Sequence, residues 1–343
     1  MFDIKSIQAE HGDAMLISYG DRVRPFHLLI DGGTTETVAN LLTVLADHRI
    51  NGRLRLEALV VTHYDLDHIQ GIIELLQHPP EWLDVDDVWF NGRHHIVERD
   101  ILGHEEGTEL SKLIAAKYSW NGAFAGAAVR IEAGPVTLPG GMTATVLSPD
   151  QSCLNALAAE WPAGGAPPPD QSDIDVEPDM LGRDDTWPPG SFNERAREKS
   201  TRDNSPANGS SIALMLEFEG RRALLAGDAF SPVVAAALKS AWPSNRPTVD
   251  LFKLSHHGSK RNTDDTLLAA VECQRFLFST NGRVHKHPDT TLVARVLRGS
   301  SEPVLIFNYE QERTSGWRVV PSGWPDYTTV YPEPGACFVK IEL

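Results

Sequence analysis

The sequence has few cysteines and no long apolar run, and both absences narrow the possible functions. Its 343 residues include three cysteines, Cys153, Cys273 and Cys337, which lie far apart and form no CxxC pair. That spacing is typical neither of a disulfide framework nor of a thiolate zinc site. No apolar run approaches the roughly 18 residues of a membrane span, and the N-terminus has no apolar segment of a secretion signal. We therefore expect a cytoplasmic protein with no membrane partner.

Positive charge is also scarce. The chain carries 31 Lys and Arg residues against 47 Asp and Glu residues, a formal net charge of −16. A field of this sign repels polyphosphates at long range. A nucleic-acid partner would therefore be held by local basic loops or by bound metal, since there is no general basic face.

What the sequence does contain is a series of short apolar strands broken by Gly and Asp turns. Helical spacing of apolar residues recurs between them, at 35–48, 69–77, 231–241 and 264–272. This alternation predicts an α/β protein in which two mixed sheets pack together with helices outside. We expect a single domain over residues 1–343, with a Pro/Asp-rich insertion or lid at about 155–209.

Several of the predicted strands end in aspartate or histidine. These residues are Asp31, His63, Asp228 and the pair His256 and His257. Ligand sites in open sheets gather at strand ends, where the loops diverge. The pattern therefore predicts one polar site shared by these ends.

The densest of these strand ends is THYDLDH, residues 62–68. On a tight loop, His63 and Asp65 would point to one side, and Asp67 and His68 would turn toward a second position. Asp67 is also placed to cap the helix predicted to follow. Two dications bridged by a carboxylate such as Asp228 would activate water and clamp a leaving oxygen. Singly these residues are typical of solvated loops, but their combination favours a metal site.

The motifs, taken in chain order, resemble the metallo-β-lactamase superfamily, and within it the soluble hydrolase domain of ComEC-type DNA-uptake proteins. They are HGDAMLI (11–17), LLIDGG (28–33), THYDLDH (62–68), LLAGDA (224–229) and KLSHHGS (253–259). The resemblance implies an αββα sandwich with two divalent metal ions, Zn²⁺ or Mn²⁺, at one edge.

The resemblance also implies roles for individual residues. His63 and Asp65 would bind the first metal, and Asp67 and His68 the second, with Asp67 near the attacking water. Asp228 would bridge the two ions. The implied catalytic residues are Asp67, His63 and Asp228, and the implied metal ligands are His63, Asp65, Asp67, His68, Asp228, His256 and His257, of which either His256 or His257 completes the second site.

Other residues would support the ligands or bind substrate. Asp31 would hold the His63 loop by hydrogen bonds. The histidine of the family's third motif is absent, and Asn208 or Ser211 would face the metals in its place. Lys260 with Arg261, and His285 and His287 with Arg283 and Lys286, would contact a phosphate or donate a proton, although both groups are equally typical of solvated turns. For His11, Asp13, His94 and His95 we favour structural or rim positions.

Three functions remain open at this stage. The first is a phosphodiesterase or nuclease that uses a dinuclear-site hydroxide. The second is an acyl-type hydrolase of a lactone, thioester or lactam, and the third is a metal-bearing effector or binding module in a larger assembly. Asp65, standing where a histidine is usual, favours phosphodiesters. The acidic chain favours a small phosphodiester or a short, single-stranded nucleic acid, and a protein partner is left open.

Overall fold

The structure is a computed structural model that describes residues 1–96, 109–161 and 187–343. We number the strands and helices in chain order. The strands are β1 Phe2–Ile7, β2 Met15–Gly20, β3 Pro25–Ile30, β4 Leu54–Leu56, β5 Ala58–Val60, β6 Leu83–Val85, β7 Val88–Trp89, β8 Pro135–Thr137, β9 Thr143–Ser148, β10 Ala213–Phe218, β11 Arg221–Leu225, β12 Thr248–Val249, β13 Leu251–Lys253, β14 Glu272–Cys273, β15 Arg275–Phe278, β16 Val304–Phe307, β17 Thr328–Val330 and β18 Phe338–Glu342. The helices are α1 Val38–Ala46, α2 Leu66–Gln77, α3 Arg93–Ile96, α4 Glu109–Lys117, α5 Gln151–Glu160, α6 Phe192–Arg197, α7 Pro206–Gly209, α8 Ser231–Ala241, α9 Asp265–Ala269, α10 Thr290–Gly299 and α11 Glu312–Ser315.

Most of the strands belong to two mixed sheets. One has six strands in the order β18-β1-β2-β3-β5-β7, and the other has eight in the order β17-β16-β15-β13-β11-β10-β9-β8. In the first sheet β3, β5 and β7 run parallel, and in the second β11, β13, β15, β16 and β17 run parallel. The carboxyl ends of parallel neighbours lie at one edge of a sheet, so each sheet brings several loops to one edge.

The packing of side chains shows how the layers are arranged. Alternate residues of one strand face opposite sides of a sheet. Leu28 and Ile30 accordingly join a buried cluster with Leu214 and Leu251 of the other sheet, whereas Leu29 packs with residues of α1 and α2 on the outer side. Both faces of the central strands are buried, which explains their nearly continuous apolar sequences. On the outer side of the eight-stranded sheet, helices α8 and α10 cover the strands. The predicted αββα sandwich is therefore confirmed.

Helix α2 begins at Leu66, three residues before the predicted start of its apolar pattern. Asp65 occupies the N-cap position without a side-chain cap hydrogen bond. Asp67 lies inside the first turn, so the prediction that Asp67 caps this helix is wrong.

The segment predicted as an insertion is only partly described. Helix α5 reaches Glu160, and residues 162–186 of the predicted insertion lie outside the described residues. Residues 187–209 are held against the body: Trp324 Nε1 donates to Gly190 O at 2.9 Å, and Arg295 Nη2 donates to Glu198 O at 2.8 Å. A lid function for this segment stays a prediction. In the described part of the chain, the helices lack the length and apolar character that crossing a membrane would require.

Two glycines let the loop after β3 approach the start of α2. Gly32 N donates to His68 O and Gly71 N donates to Gly33 O, both at 2.9 Å. A Cβ added at Gly71 would lie 2.0 Å from Gly32 O. No side chain fits there, and this approach holds Asp31 next to His68.

We predict that Gly71→Ala destabilises the fold by about 3 kcal/mol, because the added methyl must displace main chain rather than a flexible side chain. Urea unfolding followed by circular dichroism measures the change. Gly299→Ala is the matched control, since a Cβ at Gly299 meets nothing within 4 Å. Equal stabilities of the two variants would contradict this account of the contact.

Candidate metal centre

Asp31 anchors the first polar strand end. It has a left-handed backbone, with φ of 56°, and its carboxylate is buried. Oδ1 accepts from Thr62 N at 2.8 Å, and Oδ2 accepts from Thr62 Oγ1 at 2.8 Å and from His68 Nδ1 at 2.9 Å. Because Nδ1 of His68 is committed to Asp31, the other ring nitrogen, Nε2, faces the interior of the cluster.

His257 reaches the same point from the eight-stranded sheet. It has φ of 54°, and its Nδ1 donates to Ser279 O at 3.1 Å. Its Nε2 lies 3.2 Å from Asp67 Oδ2 and 3.6 Å from Asp228 Oδ2. His68 in helix α2 and His257 in the turn after β13 thus direct their Nε2 atoms toward one group of carboxylates.

Asp228 lies at the middle of this group. Its Oδ2 is 3.5 Å from His68 Nε2 and 3.6 Å from His257 Nε2. Its backbone N–H donates to Ser211 Oγ at 2.9 Å. The position is compatible with the bridging role that the resemblance implies, and that role stays a prediction.

His63 and Asp65 form the other half of the cluster. His63 Nε2 lies 3.2 Å from Asp65 Oδ2, and its Nδ1 lies 3.0 Å from Thr62 Oγ1. The ring centroids of His63 and His68 are 4.3 Å apart. The loop therefore brings its two histidines side by side.

The donor atoms of this cluster fit a bound cation. Buried polar atoms nearly always have a hydrogen-bond partner, yet four ligating atoms here are buried without one: Nε2 of His63, His68 and His257, and Oδ1 of Asp228. Among the described residues, ligand atoms of Asp13, His68, Asp228 and His257 come within 4.8 Å of one another. Imidazole nitrogens and carboxylate oxygens are the usual protein donors for divalent metals.

Asp13 belongs to this group, but its contacts place it behind the ring of His257. Its carboxylate is ion-paired with the buried ammonium of Lys253, and its Oδ1 lies 3.4 Å from His257 Nδ1. Lys253 Nζ also donates to Gly227 O at 3.1 Å and lies 3.9 Å from Asp228 Oδ1. Of the structural and rim positions predicted for Asp13, the structural one fits, because Asp13 is fully buried. The role of Lys253 was missed, although the motif KLSHHGS contains it.

The charges of the cluster are strongly coupled. Burial lowers the pKa of His257, but Asp228 and Asp13 outweigh it and raise this pKa to about 9. Burial also lowers the pKa of His68, and Asp67, Asp228 and Asp31 together raise it well above the usual value. In the opposite sense, burial raises the pKa of the Asp228 carboxyl, whereas the nearby histidines hold it well below its usual range. Without metal, these pKa shifts favour an ionised Asp228 and protonated His68 and His257 at pH 7.

The geometry distinguishes between the two neighbouring histidines. His256 Nε2 is 3.8 Å from Asp228 Oδ2, and its Nδ1 lies 3.0 Å from Asn262 Oδ1 and 3.7 Å from Asp203 Oδ2. Its side chain is 23% exposed, against 1% for His257. His257 is therefore the inner residue and His256 lies on the rim. Sequence reasoning found neither Asp203 nor Asn262, since both lie in loops without a recognisable motif.

The two residues in place of the third-motif histidine are engaged in hydrogen bonds. Asn208 Nδ2 donates to Asp203 Oδ2 at 2.7 Å, and Ser211 Oγ accepts the backbone N–H of Asp228. Ser211 thus positions Asp228. The half of the cluster that contains His63 and Asp65 gains no imidazole from this segment.

His285 lies next to His256 on the rim, and His287 lies next to it as a buried residue, 1% exposed. Their ring centroids are 6.2 and 5.8 Å from that of His256. Burial, aided by neighbouring histidines, lowers the pKa of His285 to about 4 and that of His287 well below its usual value. Both are neutral at pH 7, so donation of a proton from an imidazolium is disfavoured, and a hydrogen bond to substrate remains open.

Other candidates contact their own neighbours. Lys260 Nζ donates to Glu198 Oε1 at 2.6 Å, so it is not a free clamp for the metal centre. His94 and His95 pack on Trp120 with centroids 4.4 and 4.9 Å away, in keeping with a structural role.

A cleft of about 410 Å³ gives access to the cluster. Its walls include Asp67, His11, Thr34, Leu66 and Arg283. Asp67 is thus shared between the cleft and the metal-binding group. A small molecule entering here would meet Asp67 among the candidate ligands.

No protein-family model and no curated protein matches this chain. Among solved structures it is similar to the metallo-beta-lactamase fold protein YhfI from Bacillus subtilis, at 13% identity over 99% of both chains with a TM-score of 0.41. It is also similar to a candidate metal-dependent hydrolase from Parabacteroides distasonis, at 10% identity over 89% of this chain and 91% of that one with a TM-score of 0.39.

A further similar structure is CmlA, a diiron beta-hydroxylase from Streptomyces venezuelae. The identity is 12% and the TM-score 0.40, over 87% of this chain and 47% of CmlA, so the match spans about half of that protein. Likenesses this distant transfer neither a metal nor an activity to this chain. The ComEC-type resemblance of the motifs stays a prediction.

We predict that divalent metal releases about two to three protons per chain on binding at pH 7, because His68, His257 and His63, whose pKa values are all raised, must lose theirs to become ligands. Titration calorimetry of metal-free protein with Zn²⁺, in buffers of different ionisation enthalpy, measures the release. The apparent affinity should rise with pH until the pKa of His257, about 9, is passed. His257→Gln should release about one proton fewer. A release near zero would show that these imidazoles are not the ligands.

We also predict that Asp31→Asn weakens metal binding about 10- to 100-fold, since the His68 ring loses its anionic hydrogen-bond partner. Asparagine tolerates the left-handed backbone of this position, so the fold should persist. Metal content after equilibrium dialysis measures the effect. The control is Asp21→Asn, an exposed aspartate in a turn. Unchanged affinity in Asp31→Asn would rule out the positioning role.

Proposed function

We propose that the protein is a metal-dependent phosphodiesterase that acts on a small phosphodiester or on a short, single-stranded nucleic acid. The observation that carries the proposal is the meeting of Asp67 and Asp228 with the unpartnered Nε2 atoms of His68 and His257 beside an open cleft. Buried, converging groups of this kind mark functional sites more often than structural ones.

Two divalent ions, Zn²⁺ or Mn²⁺, fit the available donors. His63 and Asp65 would hold one ion. Asp67, His68 and His257 would hold the other, and Asp228 would lie between them. When bound, such ions supply Lewis acidity and make water nucleophilic at neutral pH.

The chain's own residues supply orientation and charge. Asp67 is ionised, since His68 and His257 outweigh the effect of burial and hold its pKa below the usual range, and it lies on the cleft wall. It would accept a hydrogen bond from the attacking water and orient it. The neutral imidazoles of His285 and His287 would donate hydrogen bonds to phosphate oxygens without adding charge.

The donor set favours phosphoryl over acyl chemistry. The half with His63 has one imidazole beside the carboxylate of Asp65, and Ser211 is occupied by Asp228 N–H. Oxygen-rich ligation suits harder ions such as Mn²⁺. Such ions neutralise the charge on phosphate oxygens well. Acyl hydrolysis of a lactone, thioester or lactam is therefore the less favoured alternative.

We predict that metal-loaded wild type hydrolyses bis-p-nitrophenyl phosphate and that Asp228→Ala lowers kcat/KM at least about 100-fold, with loss of bound metal. Asp47→Ala, at an exposed aspartate, is the control and should retain activity. The substrate panel adds single-stranded DNA, RNA, nitrocefin, a thioester and a lactone.

Each alternative has its own outcome in this panel. Turnover of nitrocefin, thioester or lactone with no turnover of any phosphodiester would replace the proposal by an acyl hydrolase. Full metal occupancy with no turnover of any substrate would favour a metal-bearing effector or binding module.

A further inference from the structure

A second cleft lies beside the metal centre and differs from it in charge. It has a volume of about 520 Å³ and lies between residues 196–202, residues 260–266 and helix α10. Its lining contains seven basic and three acidic side chains, an excess of four positive charges in a chain whose net charge is −16. We call it the basic cleft.

Three of the cations build the walls of the basic cleft. Arg295 is buried, and its guanidinium donates to Glu198 O at 2.8 Å, to Ser200 Oγ at 3.0 Å and to Lys260 O at 3.0 Å. Lys260 Nζ donates to Glu198, and Arg298 pairs with Asp265. These bonds fix residues 196–202 against α10 and neutralise two of the three acids.

The other four cations are available to a ligand. They are Arg197, Lys199, Arg202 and Arg261. Arg202 pairs with Asp264 at 3.4 Å, but its side chain is 65% exposed, and such surface pairs contribute little. Within the described residues, no acidic side chain forms an ion pair with Arg197, Lys199 or Arg261. Arg261 Nη2 donates to Arg202 O at 3.4 Å, whereas its Nε has no hydrogen-bond partner.

The basic cleft begins next to the rim of the metal centre. Asp203 follows Arg202 directly, and its Oδ2 lies 3.7 Å from His256 Nδ1. The backbone N–H of Asp203 donates to Arg261 O at 3.4 Å. Consecutive Cα atoms are about 3.8 Å apart. The main chain at Arg202 and Arg261 therefore adjoins the segment that contacts His256.

We propose that the basic cleft binds the backbone phosphates of a single-stranded nucleic acid that continues past the metal centre. The inference rests on the proposed function, which places one phosphodiester of the strand at the metal ligands. Arginine guanidinium groups bind phosphate through paired hydrogen bonds.

The lining also indicates how the strand is recognised. Among the described residues, the lining contains no aromatic side chain on which a base would stack, so we expect binding to the backbone that is independent of sequence. A duplex carries one charge per roughly 1.7 Å, twice the density of one strand, and the acidic remainder of the surface repels it more strongly.

We predict that the triple variant Arg197→Glu, Lys199→Glu, Arg202→Glu binds a fluorescein-labelled oligothymidylate at least about tenfold more weakly than wild type. Fluorescence anisotropy in EDTA measures Kd without cleavage. The slope of log Kd against log salt should fall by about 2, because each lost phosphate contact removes roughly 0.7.

The matched control is Arg22→Glu, Arg24→Glu, Lys112→Glu, at exposed positions outside the basic cleft. It changes the net charge by the same amount, so it should lose far less affinity. Thermal unfolding verifies that both variants fold. Equal losses in the two variants, or no binding by wild type, would overturn the inference.

The proposed function is tested separately by wild-type hydrolysis of bis-p-nitrophenyl phosphate. One outcome is oligothymidylate binding that depends on the basic cleft while no phosphodiester is hydrolysed. This result would contradict the proposed phosphodiesterase activity and support the binding site. Hydrolysis of the small diester with equal strand affinity in both variants would contradict nucleic-acid binding at the basic cleft and support the phosphodiesterase activity.

Discussion

The burial of several carboxylates at one point is the constraint on which the rest of the structure depends. Asp13, Asp67 and Asp228 are ionised and almost inaccessible. Each buried ion costs several kcal/mol unless an opposite charge lies close. The ammonium of Lys253 supplies one permanent positive charge, between Asp13 and Asp228. The protonated imidazoles of His68 and His257 supply the rest in the metal-free chain. A bound metal ion would displace those protons but not the ammonium of Lys253. The lysine therefore lowers the free-energy cost of burying the carboxylates both with and without metal.

The same charges hold the two sheets together at this edge. Asp13 lies just before β2 of the six-stranded sheet, and Lys253 ends β13 of the eight-stranded sheet. His68 and Asp228 repeat this pairing across the sheets at 3.5 Å. Close approach of the main chain is needed as well: a Cβ at Gly12 would meet Asp67 O at 1.7 Å. Asp31 and His257 also adopt left-handed backbone conformations. Such conformations are unfavourable for residues with side chains and are frequent at functional sites.

Much of this arrangement follows from local sequence. The strand-end motifs locate Asp31, His63, His68, Asp228 and His257, because the nearly continuous apolar runs end where the strands end. The sandwich follows from the same runs. Lys253 was not found, since a lysine at the end of an apolar strand is usually exposed and nothing local shows that Asp13 lies opposite. Asp203 and Asn262 depend on contacts between distant loops, which one sequence does not encode in any short pattern. The cap at Asp67 was wrongly predicted because helix boundaries shift by a residue or two with tertiary contacts.

The hydrogen bonds of Asn208 and Ser211 contribute to the asymmetry of the site. In place of the third-motif histidine the chain has Ser211, whose hydroxyl accepts the N–H of Asp228. The segment therefore fixes the direction of the central carboxylate and contributes no nitrogen. Asn208 turns to Asp203, which in turn faces His256, so the same segment also sets the rim histidine. One half of the cluster is left richer in oxygen than the other, because Asp65 lies beside its single imidazole. The two halves therefore differ in the hardness of ion that they favour.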